Sequence, residues 1–236
     1  MIDITGKPLA SMYFMQIVWG LRKKPFIGVR PVNHANEAPS TGAWQFTNAI
    51  DSWSWQGYEG MKTTVEVFAD AASVRLKLNG MDIGTKPFKK YKAIFNLPYQ
   101  PGTLTAEALD EQGNVVSSHS LITAGAETVL TVRPEKTVLR ANNQDLCYLP
   151  IEFTDLKGNL KPYIEQRVEI TVDGAVTLVG FGSALCKTDE VFDKNYHNSH
   201  RGRALAVLRA GNVPGKARIQ VKSEGFEPVT VEVEVK

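Results

Sequence analysis

The sequence predicts an all-β protein, two tandem immunoglobulin-like antiparallel β-sandwiches preceded by a short helix and an irregular connector. Three observations carry that expectation. From residue 61 onward apolar side chains recur at every second position, the period of half-buried strands. Turn formers such as Asn79-Gly80, Pro101-Gly102, Gln112-Gly113, Lys157-Gly158-Asn159, Asp173-Gly174 and Val213-Pro214-Gly215 punctuate those runs at the spacing of a hairpin-rich sandwich. At 236 residues the chain is too long for one typical sandwich and suits two of about 100 residues each.

The opening, IDITGKPLASMYFMQIVWG, reads as a helix, with Thr5 or Gly6 as its cap, Pro8 in the first turn and Gly20 as its end. Leu9, Met12, Tyr13, Phe14, Met15, Ile17, Val18 and Trp19 cover nearly its whole circumference, a distribution that asks for burial on several sides. Residues 21–60 follow as an irregular segment with FIGVRP as a strand candidate. Its rings, Trp44, Phe46, Trp53, Trp55 and Tyr58, are too many for a disordered linker and predict a connector laid across a domain face. Residues 1–60 are therefore expected to be the end of a preceding domain and an aromatic connector.

Residues 61–124 are expected to form the first sandwich. In TTVEVFA, Val65 and Val67 alternate with Thr64, Glu66 and Phe68; in SVRLKLNG, Val74, Leu76 and Leu78 alternate with Arg75 and Lys77. YKAIFNL, GTLTAEAL and VVSSHSLITA continue the pattern. Residues 125–236 are expected to form the second sandwich, from seven runs: TVLTVRP, DLCYLPIEFTD, VEITVD, VTLVGFG, RALAVLRA, ARIQVKS and VTVEVEV. The Cys and Trp signature of antibody domains is absent, so the likeness is one of architecture.

Composition excludes several functions. A net charge of +2 gives no field to hold nucleic acid or a membrane surface, and the triplet Arg22, Lys23, Lys24 reads as solvated surface. No apolar run reaches the roughly 20 residues of a membrane span. No leader pattern follows Met1.

Chemistry-bearing motifs are sparse. Asn36-Glu37 has the residue types of a glycosidase acid/base pair, but it sits in the polar loop HANEAPST with no apolar strand before it to place the carboxylate, so Glu37 reads as a surface glutamate. Of four histidines, His34 and His119 stand alone, and His197 and His200, in DKNYHNSHRGR, lack a third ligand at metal spacing; a loop is expected there and no metal site. Cys147 and Cys186 read as small core fillers rather than a disulfide. No nucleophile elbow, phosphate loop or dinucleotide fingerprint is present, so no cofactor is expected. Aromatic faces stack on pyranose rings, which makes Trp44, Trp53 and Trp55 the candidate carbohydrate contacts, although Trp53 and Trp55, sharing one strand face with Ser54 between them, read more readily as packing the connector onto the first sandwich.

The run SWSWQGYEGMKTTVEVFADAASVRLKLNGMDIGTKP resembles the region behind the catalytic barrel in bacterial glycoside hydrolase family 2 enzymes of the β-galactosidase type. Upstream, IDITGKPLASMYFMQIVWG and RPVNHANEAPSTGAW are similar to the last barrel helix and exit segment of that family. Downstream, NLPYQPGTLTAEALDEQGNVV, TAGAETVLTVRPEKTVLRANNQDLCYLPIEFTDLKGN and RGRALAVLRAGNVPGKARIQVKSEGF resemble its trailing sandwiches. The segment SALCKTDEVFDKNYHNSHRG departs from the family's pattern.

That resemblance implies a retaining glycosidase as the parent protein, with both catalytic glutamates on a barrel whose strands are not in this sequence. No catalytic residue carries over. The partner it implies is the catalytic barrel, the compartment periplasmic or extracellular, and the role accessory, with self-association or folding of the opening helix onto the sandwiches expected for the isolated chain. A carbohydrate-binding module that holds oligosaccharide and a cell-surface immunoglobulin-like spacer are the alternatives.

Overall fold

The computed structural model describes residues 2–35, 42 and 45–236. The chain divides into two compact units, residues 1–124 and 125–236.

In the first unit the helix α1 spans Ala10–Val18 and starts later than its apolar pattern suggests. The Asp3 carboxylate accepts hydrogen bonds from Thr5 N, Thr5 Oγ1 and Lys7 N at 2.8, 2.7 and 3.0 Å, which closes residues 3–7 into a loop that competes with helix. Neither Thr5 nor Gly6 caps it; Leu9 stands at the N-cap without a side-chain bond. Its far end is as anticipated: Gly20 has φ +69°, and Gly20 N and Leu21 N donate back to the Ile17 and Gln16 carbonyls in a Schellman cap.

Seven strands follow: β1 (Phe26–Val29), β2 (Lys62–Phe68), β3 (Ser73–Leu78), β4 (Met81–Pro87), β5 (Lys92–Pro98), β6 (Thr103–Leu109) and β7 (Val115–Ile122). They form a three-stranded sheet β1-β2-β5 and a four-stranded sheet β4-β3-β6-β7, with every pairing antiparallel. Inward-facing Val65, Val67 and Phe95 of the first sheet, and Val74, Leu76, Leu104 and Ala106 of the second, are buried on the period of two. Each large apolar side chain so buried contributes about 2 kcal/mol.

The alternation fails in one instructive place. Thr64, Glu66 and Phe68 point to the opposite face of β2 from Val65 and Val67, yet Glu66 and Phe68 are completely buried. The reason is a third layer. Helix α1 and the segment around Thr47 and Ala49 cover that face, with Tyr13, Phe14, Phe26 and Phe68 in a chain of ring contacts 4.5–5.7 Å apart. FIGV, expected only as a strand candidate in the connector, is the edge strand β1 of this sandwich.

The second unit contains β8 (Val129–Val132), β9 (Val138–Leu139), β10 (Leu146–Thr154), β11 (Arg167–Gly174), β12 (Val176–Gly182), β13 (Tyr196–Asn198), β14 (Arg203–Ala210), β15 (Gly215–Ser223) and β16 (Val229–Val235). Seven of these nine coincide with the alternating runs; β9 and β13 are too short to show a period. The sheets run β12-β14-β10-β8 and β13-β11-β15-β16-β9, antiparallel except where β9 joins β16. Their core is built from Leu149, Ile151, Phe153, Leu208, Ile219 and Val221 among others.

Two loops, one in each unit, use the same device. Asp110 and Asp155 each open a D-x-x-G-N turn and accept hydrogen bonds from the backbone N–H two and four residues on and from the Asn side chain.

Candidate functional site

Trp53 and Trp55 are fully buried, so neither offers a ring face to a sugar. Their segment staples one end of the first sandwich. Trp53 Nε1 donates to the Gln100 carbonyl at 2.9 Å and its ring meets Tyr99 edge-on at 5.0 Å. Trp55 N donates to the Tyr99 hydroxyl at 3.1 Å, Thr123 Oγ1 donates to the Trp53 carbonyl, and Ala124 N donates to Ser54 Oγ. Trp44 and Glu37 lie outside the described residues.

The histidines do not converge. His34 closes a single 3₁₀ turn, and His119 sits on β7, where burial together with the charges of Arg22 and Lys24, partly opposed by Asp51, pushes its pKa down. His197, expected in a loop, belongs to β13 and points into the core. Its ring lies parallel to Phe192 at 5.7 Å while Nδ1 meets the Asn198 carbonyl at 2.8 Å. His200 instead pairs with Glu165 at 3.1 Å. Among the described residues no three His, Cys, Asp or Glu side chains form a metal-binding group. Cys147 is a free buried thiol, as its apolar setting suggests, and burial pushes its pKa up. Cys186, expected in or near the core, is a free thiol exposed on the long loop after β12.

The two buried carboxylates among the described residues are Glu66 and Asp155, one in each unit. Burial disfavours the charge on Glu66, but Lys92 Nζ at 2.6 Å, Thr47 Oγ1 at 2.9 Å and Arg30 Nε at 2.9 Å outweigh it and hold the carboxyl below the ordinary range. Asp155 follows the same logic: burial is overcome by bonds from Asn159, Gly125 N and Lys157 N, which bring it to about 2. Beside it Lys161 is buried, its Nζ donating to the Ala126 carbonyl at 2.9 Å and Thr128 Oγ1 at 2.7 Å. Carboxyls so depressed are ionised near neutral pH and cannot donate the proton that glycoside cleavage requires. Both act as anchors.

Of these, Asp155 had a readable signal in its D-x-x-G-N spacing. Glu66 and Lys161 did not, since their burial depends on segments distant in sequence. The second unit also carries an open depression of ≈ 660 Å³ along Thr128–Leu130 and Gly225–Val229, whose one ionisable side chain is Glu227. Its lining holds no second carboxyl to pair with Glu227, as a glycosidase site requires.

Family models match parts of both units. The model of glycoside hydrolase family 2 C-terminal domain 5 matches residues 130–232, nearly all of the second unit. A domain family of unknown function, DUF4982, matches residues 60–117 of the first. Beta-galactosidase BoGH2A of Bacteroides ovatus is 27% identical over 232 residues, which cover 98% of this chain and 25% of that protein. A beta-glucuronidase of Formosa agariphila is 26% identical over 183 residues, covering 75% of this chain and 18% of that protein. A solved family 2 glycosyl hydrolase from Bacteroides cellulosilyticus superimposes with a TM-score of 0.84 at 27% identity, covering 98% of this chain and 31% of that one. The chain thus spans a quarter or less of the length of the curated relatives it matches.

Proposed function

We propose, from the premise that this chain belongs to the C-terminal region of glycoside hydrolase family 2, that it is the non-catalytic accessory part of a larger enzyme that cleaves terminal β-glycosides. The observation that carries the proposal is the state of its buried carboxylates. A retaining glycosidase needs two carboxyl groups about 5 Å apart, one of them able to give up a proton. Glu66 and Asp155 are in different units, the first held by Lys92, Arg30 and Thr47 and the second by backbone N–H groups and Asn159.

In this reading the sandwiches support a catalytic barrel. One face of α1 folds onto the first sandwich through Ala10, Phe14 and Ile17, while Trp19 (60% exposed) and Leu21 (74%) remain open just beyond it, apolar surface available to that barrel. A periplasmic or extracellular setting belongs to the same proposal and rests on the family likeness alone. The test is a panel of aryl β-galactoside, β-glucuronide and β-mannoside incubated with the purified chain. The expected rate equals the buffer blank; saturable turnover that co-purifies with the folded chain overturns the reading.

A further inference from the structure

Two tight turns in the first unit have both central residues at positive φ. At Asn79-Gly80, with φ +53° and +82°, the chain uses residues suited to that conformation. Ten residues on, Lys89 and Lys92 exchange backbone hydrogen bonds at 3.0 and 3.1 Å across a turn whose centre is Lys90-Tyr91, with φ +50° and +65°. Long or bulky L-residues rarely adopt that region, and strain kept in a tight turn asks for a reason beyond the turn itself.

The side chains supply one. Four lysines surround the turn. Lys92 is committed to Glu66, and Lys86 donates to the Ile94 carbonyl and lies over the Phe95 ring. Lys89 and Lys90 are exposed, and among the described residues no ion pair joins either to an acid. Tyr91, the residue after Lys90, is 37% exposed, and its carbonyl is fixed by Ala69 N at 3.1 Å. The turn therefore presents two exposed, unpaired lysines followed directly by a part-exposed aromatic ring, on a backbone anchored at the Tyr91 carbonyl.

We propose that this Lys89–Lys92 turn is a binding site for an acidic glycan, the tyrosine stacking on a pyranose ring while Lys89 and Lys90 engage its carboxylate or sulfate groups. The choice of a glycan rests on the function proposed above. The two ideas fail separately, because hydrolysis by the chain would refute that function without altering retention on a glycan, and lost retention would refute this site without creating turnover.

The experiment is affinity electrophoresis of the purified chain through gels containing polygalacturonate, dextran sulfate or neutral galactan, with thermal melting in parallel. Retardation is expected in one or both acidic gels and absent in galactan; the two acidic arms separate carboxylate from sulfate recognition. Lys89→Gln with Lys90→Gln should weaken it by about tenfold, and salt near 1 M should abolish it. Lys90→Asn with Tyr91→Gly relaxes the turn, and should raise the melting temperature by about 5 °C while losing retardation. Unchanged retardation of the glutamine variant, equal retardation in galactan, or equally strong retention on single-stranded DNA overturns the site. A relaxed-turn variant that melts no higher overturns the argument from strain.

Discussion

Asp155 provides the most quantitative test of how the second unit is held together. Its carboxylate receives four hydrogen bonds: Gly125 N at 2.7 Å, Lys157 N at 2.9 Å, and Asn159 N and Nδ2 at 2.8 Å each. Replacing it by alanine strands three backbone donors. Gly125 and Lys157 are at the surface and recover water, whereas Asn159 is half-buried, so the loss should be about 2–4 kcal/mol rather than the full sum of three buried donors. The depressed pKa expresses the same bonds as a dependence on pH. A fall from 3.8 to about 2 corresponds to roughly 2 kcal/mol of stability carried by the ionised form. A folded-state pKa below the unfolded one stabilises above the unfolded value, so this contribution is whole above pH about 5 and disappears as pH falls through 2. Denaturant titration of wild type and Asp155→Ala at pH 7 and pH 2 should therefore show a gap of about 2–4 kcal/mol at the first pH that narrows by roughly 2 kcal/mol at the second. A variant within 0.5 kcal/mol of wild type at pH 7, or a gap independent of pH, would refute the reasoning.

The other expectations concern separate regions. Glu66→Ala leaves Lys92 and Arg30 facing an empty buried site and should cost about 3–5 kcal/mol in the first unit by urea unfolding, with Glu66→Gln intermediate; two near-neutral variants would contradict a buried ion-pair anchor. Gly182→Ala places a methyl group where the Phe192 ring lies over the end of β12 and should speed tryptic cleavage at Lys187 and Lys194; an unchanged digestion rate would show that the ring is not locked there. Cys186 should react with a disulfide reagent at once, and Cys147 only on unfolding, so two fast thiols in the native chain would contradict its burial. Trp53→Ala removes a buried ring, its bond to Gln100 and its contact with Tyr99; a loss of about 3–5 kcal/mol is expected, and a fully stable variant would refute its stapling role.

What could be read from the sequence was the part that depends on neighbours in the chain. Val65, Val67, Val74 and Leu76 announce their strands because the period of two is local, and Asn79-Gly80 and Gly20 announce a turn and a helix end because their backbone freedom is local. Glu66 and Phe68 read as the outward half of β2, since nothing in TTVEVFA reports that α1 and Thr47 will cover that face. Trp53 and Trp55, whose shared strand face read as packing ahead of a sugar platform, are closed into the core around Tyr99. His197 looked like loop because three residues of β13 are too few to show a period. The Lys90-Tyr91 turn has no signature in the sequence because its residues are ones that turn rules disfavour.

Whether glycoside chemistry resides in this chain can be asked covalently. A 2-deoxy-2-fluoro aryl β-galactoside, and its β-glucuronide counterpart, trap the glycosyl-enzyme intermediate of a retaining glycosidase on its nucleophilic carboxylate. Intact mass spectrometry of the folded chain after prolonged incubation should show the unmodified mass alone. An adduct of one glycosyl unit, formed at a saturable rate and mapped to a single Asp or Glu, would contradict the accessory role and identify the active site directly.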